Sequence, residues 1–482
     1  MDKRFSWFRQ DPAPQPLSPD DARVWMRWRS LPSRESWSLS RIRDGLFRRL
    51  NREDIQAIAT LFLAITVFML MTNFAFRLRS QTVFGPHLGA DFVTFYNAGK
   101  IFLTHPHEKI YDAELQARMW RELFPDHRVE QDFLPYSRAP FLIGIFSALS
   151  QVSYPLAYLI WIALGTGLYF WGFQLLWDSL KAIPGEAYHP AALLAASFMP
   201  FIVESLAGGQ TSALGFFALA AAIAFERRQR MRLSGFVLAL LCYQPALLVF
   251  VLPMLIVTRR TQTLEGFTLG GLMWGGLSWL LVGTAGMAAY GRTLLFYVAH
   301  STGEAVEFRL WKYIDVNTFF RLLIGERGAI ALILAGGVFA VVLVRLLGFW
   351  FGAERKSKNY QSLLWAATIT WTLAVGLFVG IHDATLLAIA AMLMIHFFYT
   401  RAKEGAEPLP ADFQLLLVAL YLTPWITQPL AKHLGVQAFT PTLICLGMYQ
   451  FRLLKAARRP PAKPLPQPPP AKPTMNDSVD DW

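Results

Sequence analysis

The sequence predicts an all-α polytopic membrane protein. Three observations carry that expectation. Hydrophobic residues fill 54% of the 482 positions, charged residues fill only 16%, and apolar runs recur along most of the chain. An average soluble domain carries about 25% charged residues, so a water-soluble chain of this size would lack a polar surface. The same composition excludes disorder, a coiled coil and a collagen-like fibre. A net charge of +12 fits loops facing anionic lipid and gives no reason to invoke nucleic acid. Cys242 and Cys445 lie in apolar stretches and read as small buried hydrophobes, and two cysteines make no disulfide framework.

Residues 1–54 form a basic, cytoplasmic N-terminal arm with 12 Lys/Arg, 8 Asp/Glu and the interleaved Trp7, Trp25, Trp28 and Trp37. Within it, residues 41–52 have the composition of a helix lying on the membrane surface. The first apolar run begins near residue 55, so no signal peptide is expected. A spanning helix needs about 20 mostly apolar residues. Residues 55–452 are read as the transmembrane domain, with a first candidate span at 55–76. A polar loop at 77–137 follows, with 7 Lys/Arg, 8 Asp/Glu and four of the nine histidines. Further apolar runs lie at 139–150, 154–177, 187–207, 210–225, 233–258, 264–286, 329–350, 360–380, 383–400, 411–428 and 438–452. A second polar loop covers 287–328, and residues 453–482 form a Pro-rich, disordered cytoplasmic tail.

Short basic loops mark the cytoplasmic side. They are 226–232, Arg259-Arg260, 354–358, 401–403 and 452–459. Both polar loops, 77–137 and 287–328, then face outward. Parity requires that one run between residue 137 and Arg227 does not cross, and the short 139–150 run is the natural one. Between Arg232 and Arg259 the number of crossings must be even. Gln244-Pro245 at the midpoint therefore predicts two half-helices meeting at a break, and irregular backbone at membrane depth normally lines a cavity. Ten full spans result, or twelve if short segments are counted. Gly208-Gly209-Gln210 and His382-Asp383 then fall at the same end as the first outer loop.

Asp91, in Asp91-Phe-Val-Thr-Phe-Tyr96-Asn97-Ala98-Gly99, follows the first span. It can act as a general base toward a hydroxyl, or it can cap the helix that begins at Phe92. Glu204 lies within an apolar run, where an acid marks a functional site by default. It either lines the same cavity or pairs with a neighbouring helix. Trp311-Lys312-Tyr313 and Asp315, beside His300 and Glu304, either line a sugar site or belong to an interfacial aromatic belt.

The Asp91-x4-Tyr96-x-Ala98-Gly99 stretch, followed by Leu103 and Tyr111-Asp112, resembles glycosyltransferase family 87, polytopic transferases of the GT-C type. Further pieces match in order: Pro135-Tyr136-Ser-Arg-Ala-Pro140, Pro200 with Gly209-Gln210, Gly235 with Gln244-Pro245, Asn317 with Phe319-Phe320-Arg321, and His382-Asp383. The resemblance runs over about residues 55–450. It implies a GT-C bundle with helices in its extracytoplasmic loops. It also implies a polyprenyl-phosphate-linked sugar donor, with mannose the leading sugar, a lipid or glycan acceptor, and inversion at the anomeric carbon. Asp91 would then deprotonate the acceptor. His382, Arg138, Gln210, Tyr96, Asn97, Gln244, Asn317 and Asp383 would bind donor or acceptor. Two departures stand out: Gln244 occupies a position where the family often has Lys, and Ser137-Arg138-Ala139 interrupts a Tyr-Pro-Pro stretch.

No cofactor is implied. His105-Pro-His107 with Glu108 does not have zinc-ligand spacing, and nothing indicates a divalent metal. The family implies a bacterial inner membrane, and loop charge places both termini in the cytoplasm and the site outward. Two other readings compete, a secondary transporter and a non-catalytic lipid-handling protein. Transporters place broken or charged helices at the midplane of paired repeats, whereas the polar residues here gather toward one face.

Overall fold

The computed structural model describes residues 52–75, 89, 91–125, 133, 135–299, 310–325, 328–353, 356–403 and 409–458. The N-terminal arm up to residue 51, the tail from 459, His300 and Glu304 lie outside the described residues. The described chain folds into helices, with no strand among those residues. In order these are α1 (Arg52–Ala75), α2 (Phe92–Thr104), α3 (Ala113–Leu123), α4 (Ile143–Leu149), α5 (Tyr154–Ser179), α6 (Tyr188–Ala196), α7 (Ser212–Arg227) and α8 (Met231–Leu238). Then follow α9 (Val251–Val257), α10 (Thr261–Ala299), α11 (Val316–Ile324), α12 (Gly328–Trp350), α13 (Lys358–Val375), α14 (Leu387–Ala402), α15 (Ala411–Leu434) and α16 (Phe439–Arg458).

Five described helices are each long and apolar enough to cross a bilayer: Tyr154–Ser179, Thr261–Phe296, Gly328–Trp350, Ile381–Ala402 and Ala411–Leu434. The pair Gly185–Ala196 and Pro200–Ala207, bent by 53°, makes a sixth if taken as one span. The sequence leads to an expectation of ten full spans, or twelve with short segments counted. Several of the apolar runs fold instead as shorter pieces of the same bundle. Residues 140–149 form a helix shorter than a span. Residues 231–257 divide into α8, a 3₁₀ turn Ala239–Tyr243, a second turn Pro245–Leu248 and α9. The break falls at Gln244 (φ −142°, ψ 88°), because proline disfavours helical backbone at the residue before it.

Burial distinguishes centre from rim. Leu387, Ile389, Ala390 and Leu393 of α14 are fully buried, whereas Leu272 and Leu280 of α10 are 70% and 75% exposed and Ile333 of α12 is 73% exposed. Apolar surface of that extent is stable only against lipid or another apolar surface. The chain is thus a multi-pass membrane protein whose central helix, α14, is wrapped by others.

The segments 212–227, 245–258, 358–375 and 381–402 run between two polar ends. One end gathers Gln210, Gln244 and His382, and the other gathers Glu226, Arg260, Gln361 and His396. The 16 residues of α7 separate the ends by about 24 Å at 1.5 Å per residue.

Close packing of α2 on α4 holds the first polar end in place. A Cβ at Gly99 would lie 2.2 Å from the Phe146 carbonyl oxygen, and the rings of Phe95 and Phe146 stack at 4.9 Å. Backbone cannot yield there as a side chain can. Gly99→Ala should therefore destabilise the detergent-solubilised protein by about 1–3 kcal/mol, the usual cost of overpacking. Gly336→Ala, which meets no atom within 4 Å, should leave the melting temperature within a degree or two (about 0.5 kcal/mol). Equal effects of the two substitutions would contradict this packing.

Candidate active site

Asp91 occupies the N-cap position of α2, but its side chain makes no capping hydrogen bond. Asp112 and Asp315 do cap, accepting from Leu115 N and Thr318 N respectively. The capping reading of Asp91 is therefore corrected. Its amide instead donates to the Gly208 carbonyl at 2.9 Å, which ties the start of α2 to the Gly208-Gly209 turn. Gly209 has φ +76°, and a Cβ there would lie 2.6 Å from Phe92 Cβ. Only glycine meets both demands. That turn delivers Gln210, whose Nε2 donates to Asp91 Oδ2 at 2.9 Å. Asp91 itself is only 4% exposed.

Arg138 extends the cluster. Its guanidinium donates to Gln210 Oε1 at 3.2 Å and to Gln244 Oε1, and lies 3.4 Å from His382 Nε2. Gln244 Nε2 in turn donates to Asp383 Oδ2 at 2.6 Å, and the Gly380 amide donates to the same oxygen at 3.2 Å. The Gln244 backbone break is what brings this amide to the cluster. Arg138 is held from behind: the Tyr111 hydroxyl donates to its carbonyl at 2.9 Å, and Gln116 Oε1 accepts from the Tyr136 amide at 2.7 Å. Burial pushes both phenols, Tyr111 and Tyr136, well above their ordinary pKa, so their hydroxyls stay protonated.

Lys312 belongs to the Trp311-Lys312-Tyr313 stretch, for which the sequence leaves open a sugar site or an aromatic belt. Its Nζ lies 3.3 Å from Asp91 Oδ2 and 3.6 Å from Glu204 Oε2. The strand-like pairing of Tyr313 with Gly380 and the bond from Ile314 N to Val379 O at 3.0 Å fix the loop that carries it. Glu204 sits on a π-helical segment, Pro200–Ala207, and accepts from Gln428 Nε2 at 2.7 Å. Glu204 therefore takes a partner from a neighbouring helix while standing beside the cluster.

The two cations stand in different company. Lys312 faces two carboxylates, whereas the side-chain partners of Arg138 are two amides and an imidazole. Among the described residues no carboxylate forms an ion pair with Arg138. A guanidinium held by neutral acceptors keeps its charge for an anion.

Asp91, Arg138, Gln210, Gln244, Lys312 and His382 line one cavity of about 830 Å³. Its other wall is apolar, formed by Leu248, Val249 and Leu252 on one side and Leu332, Ala335 and Phe339 of α12 on the other. Asp383 stands directly behind the lining. Three further expected residues do not reach it. Tyr96 donates its hydroxyl to Val152 O at 2.8 Å, and Asn97 is buried in the same helix. Thr94 and Phe95 are the α2 residues that face the cavity, and the 100° step per residue turns Tyr96 and Asn97 away. Asn317 is buried in the first turn of α11. His107 stacks on Phe102 at 4.4 Å, and among the described residues no three metal-ligating side chains gather.

Asp315 gives the loop a pH signature. Burial raises its pKa from 3.8 to about 6, against the opposing hydrogen bonds from Thr318. The folded state thus holds the proton more tightly than the unfolded chain. The stabilisation is complete below the unfolded value of 3.8 and is lost as pH rises through about 6. A shift of that size corresponds to a stability change on the order of 3 kcal/mol. The melting temperature should fall between about pH 4 and 6, and Asp315→Asn should flatten that slope. A slope unchanged in the variant would show that another group carries it.

No curated protein and no solved structure matches this chain. The model of Glycosyltransferase family 87 matches residues 138–370, a stretch that includes Arg138, Gln210, Gln244 and Lys312. Over that stretch the chain is similar to glycosyltransferase family 87, a family of glycosyltransferases.

Proposed function

We propose that the chain transfers a hexose, mannose in the first instance, from a polyprenyl-phosphate-linked donor to a lipid or glycan acceptor. Transfer takes place at the extracytoplasmic face of a bacterial inner membrane and inverts the anomeric carbon. The observation that supports this best is the two-part cavity, in which a polar lining with Asp91 as its acid among the described residues adjoins an apolar wall. A sugar phosphate on a long hydrocarbon chain has the same two-part character.

In this reading Asp91 is the general base. It takes the acceptor's hydroxyl proton while that oxygen attacks the anomeric carbon. The new C–O bond forms as the bond from the anomeric carbon to the phosphate oxygen breaks, and the electron pair leaves on the polyprenyl phosphate. Attack opposite the leaving group gives inversion. Phosphate needs little protonation to leave, so one carboxylate suffices. Arg138, which pairs with no carboxylate among the described residues, stabilises the departing phosphate together with His382. Lys312 and Gln210 position the Asp91 carboxylate.

This assignment accounts for both departures from the family pattern together. The cation often found at the Gln244 position is absent, and Arg138 places a guanidinium against the Gln244 amide. Asp91→Asn should lower transfer from polyprenyl-phosphate mannose in proteoliposomes by about 10²–10⁴-fold. Full activity in that variant would remove Asp91 as the base. Arg138→Ala should cost at least about tenfold in kcat/KM, and adding Gln244→Lys should restore part of it. If the second substitution lowers activity further, the exchange of cations between the two positions is refuted. Transfer only from other polyprenyl-linked sugars would keep the mechanism and change the donor.

A further inference from the structure

A second concave site of about 390 Å³ lies at the opposite end of α7. Its lining includes Arg227, Arg259, Arg260, Lys356 and Lys358, with Glu226 as its acid. Charged helix ends are ordinary in membrane proteins, but this one is a built pocket.

Its floor is fixed. Arg260 pairs with Glu226, donates to Gln361 Oε1 at 2.6 Å and to Thr258 Oγ1 at 3.1 Å, and lies over the Trp365 ring at 5.3 Å. Arg227 donates to Ser362 Oγ at 2.8 Å and to the Ser179 carbonyl at 3.1 Å. At the rim, Arg259, Lys356 and Lys358 are exposed. Among the described residues none of these three is held in an ion pair.

Two further features point to an occupant. Gln229 and Arg259 hold left-handed backbone, with φ 62° and 53°, at helix ends closed by the bonds Arg230 N to Phe225 O and Arg260 N to Leu255 O. Glycine usually fills that position, and a side chain there is strained. Such strain gathers at ligand-holding sites. In addition, Thr263 is 1% exposed, belongs to the lining, and has a hydroxyl with no hydrogen-bond partner. It sits in the first turn of α10, where backbone N–H groups lack helical acceptors and favour anions.

Beside the rim, Ile256 is 57% exposed and Leu233 is 39% exposed. An anion that also offers hydrocarbon would satisfy both surfaces. We propose that this pocket binds the phosphate headgroup of an anionic phospholipid, whose acyl chains lie along Leu233 and Ile256. The site is separate from the glycosyl-transfer cavity, and the proposal does not rest on the identity of the sugar.

The test uses the full chain in detergent, with bound lipid counted by native mass spectrometry and stability followed by thermal melting. The probes are phosphatidylglycerol, phosphatidylcholine with the same acyl chains, and inorganic phosphate. Phosphatidylglycerol should bind at least about tenfold more tightly than phosphatidylcholine and raise the melting temperature. The double variant Arg259→Gly, Lys358→Gln should lose about tenfold in phosphatidylglycerol affinity. Its lipid-free melting temperature should hold or rise, because glycine suits the backbone at position 259. Equal binding of the two lipids, or unchanged affinity in the double variant, would overturn the proposal. An equal stabilisation by inorganic phosphate at millimolar concentration would also overturn it, in favour of a soluble anion.

Discussion

A carboxylate buried inside an apolar bundle is stable only when it is paired and hydrogen-bonded. Asp91 meets that constraint through Lys312 and Gln210, and much of the surrounding fold serves to bring these three together. The Gly208-Gly209 turn delivers Gln210 and anchors α2 at the same time. The short pairing of Tyr313 with Gly380 delivers Lys312 and holds it beside the turn that carries His382 and Asp383. Removing one partner would strip a hydrogen bond or an ion pair from a buried charge, so each connection constrains the others.

The cluster separates two electrostatic tasks. Lys312 is surrounded by Asp91 and Glu204, so its charge is spent inside the protein. Arg138 is surrounded by amides and an imidazole, so its charge faces the cavity. In the proposed reading, one cation holds the base and the other receives an anion. That division suits a reaction in which a proton is taken at one point and a phosphate leaves at another. The far end of the bundle repeats the contrast, with Arg260 neutralised by Glu226 and Arg259 exposed.

Much of this was legible in the sequence, for identifiable reasons. Long apolar runs gave α5, α10, α12 and α15, because about 20 apolar residues leave few other folds. The Gln244-Pro245 dipeptide marked the backbone break, and loop charge placed Gln210 and His382 at one end. The number of full spans was less legible. An apolar run can be cut into short helices wherever cavity-lining residues satisfy its backbone, as the 231–257 stretch shows. The pairing of Lys312 with Asp91 was not legible because it spans 221 positions, and no local period encodes such a contact. Gln428 on Glu204 was hidden for the same reason. Asp91 itself looked like a cap, since nothing in its spacing distinguishes it from Asp112. Tyr96 and Asn97 were drawn in by their nearness in sequence to Asp91, although helix geometry points them elsewhere.

The most direct test of this division of charge is a cryo-electron microscopy structure of the protein with a non-hydrolysable polyprenyl-phosphate-sugar analogue. The expected map places the phosphate against Arg138 and His382, the anomeric carbon on the Asp91 side, and the hydrocarbon chain along Leu252 and Phe339. A phosphate seated on Lys312 with Asp91 turned away from the sugar would contradict it.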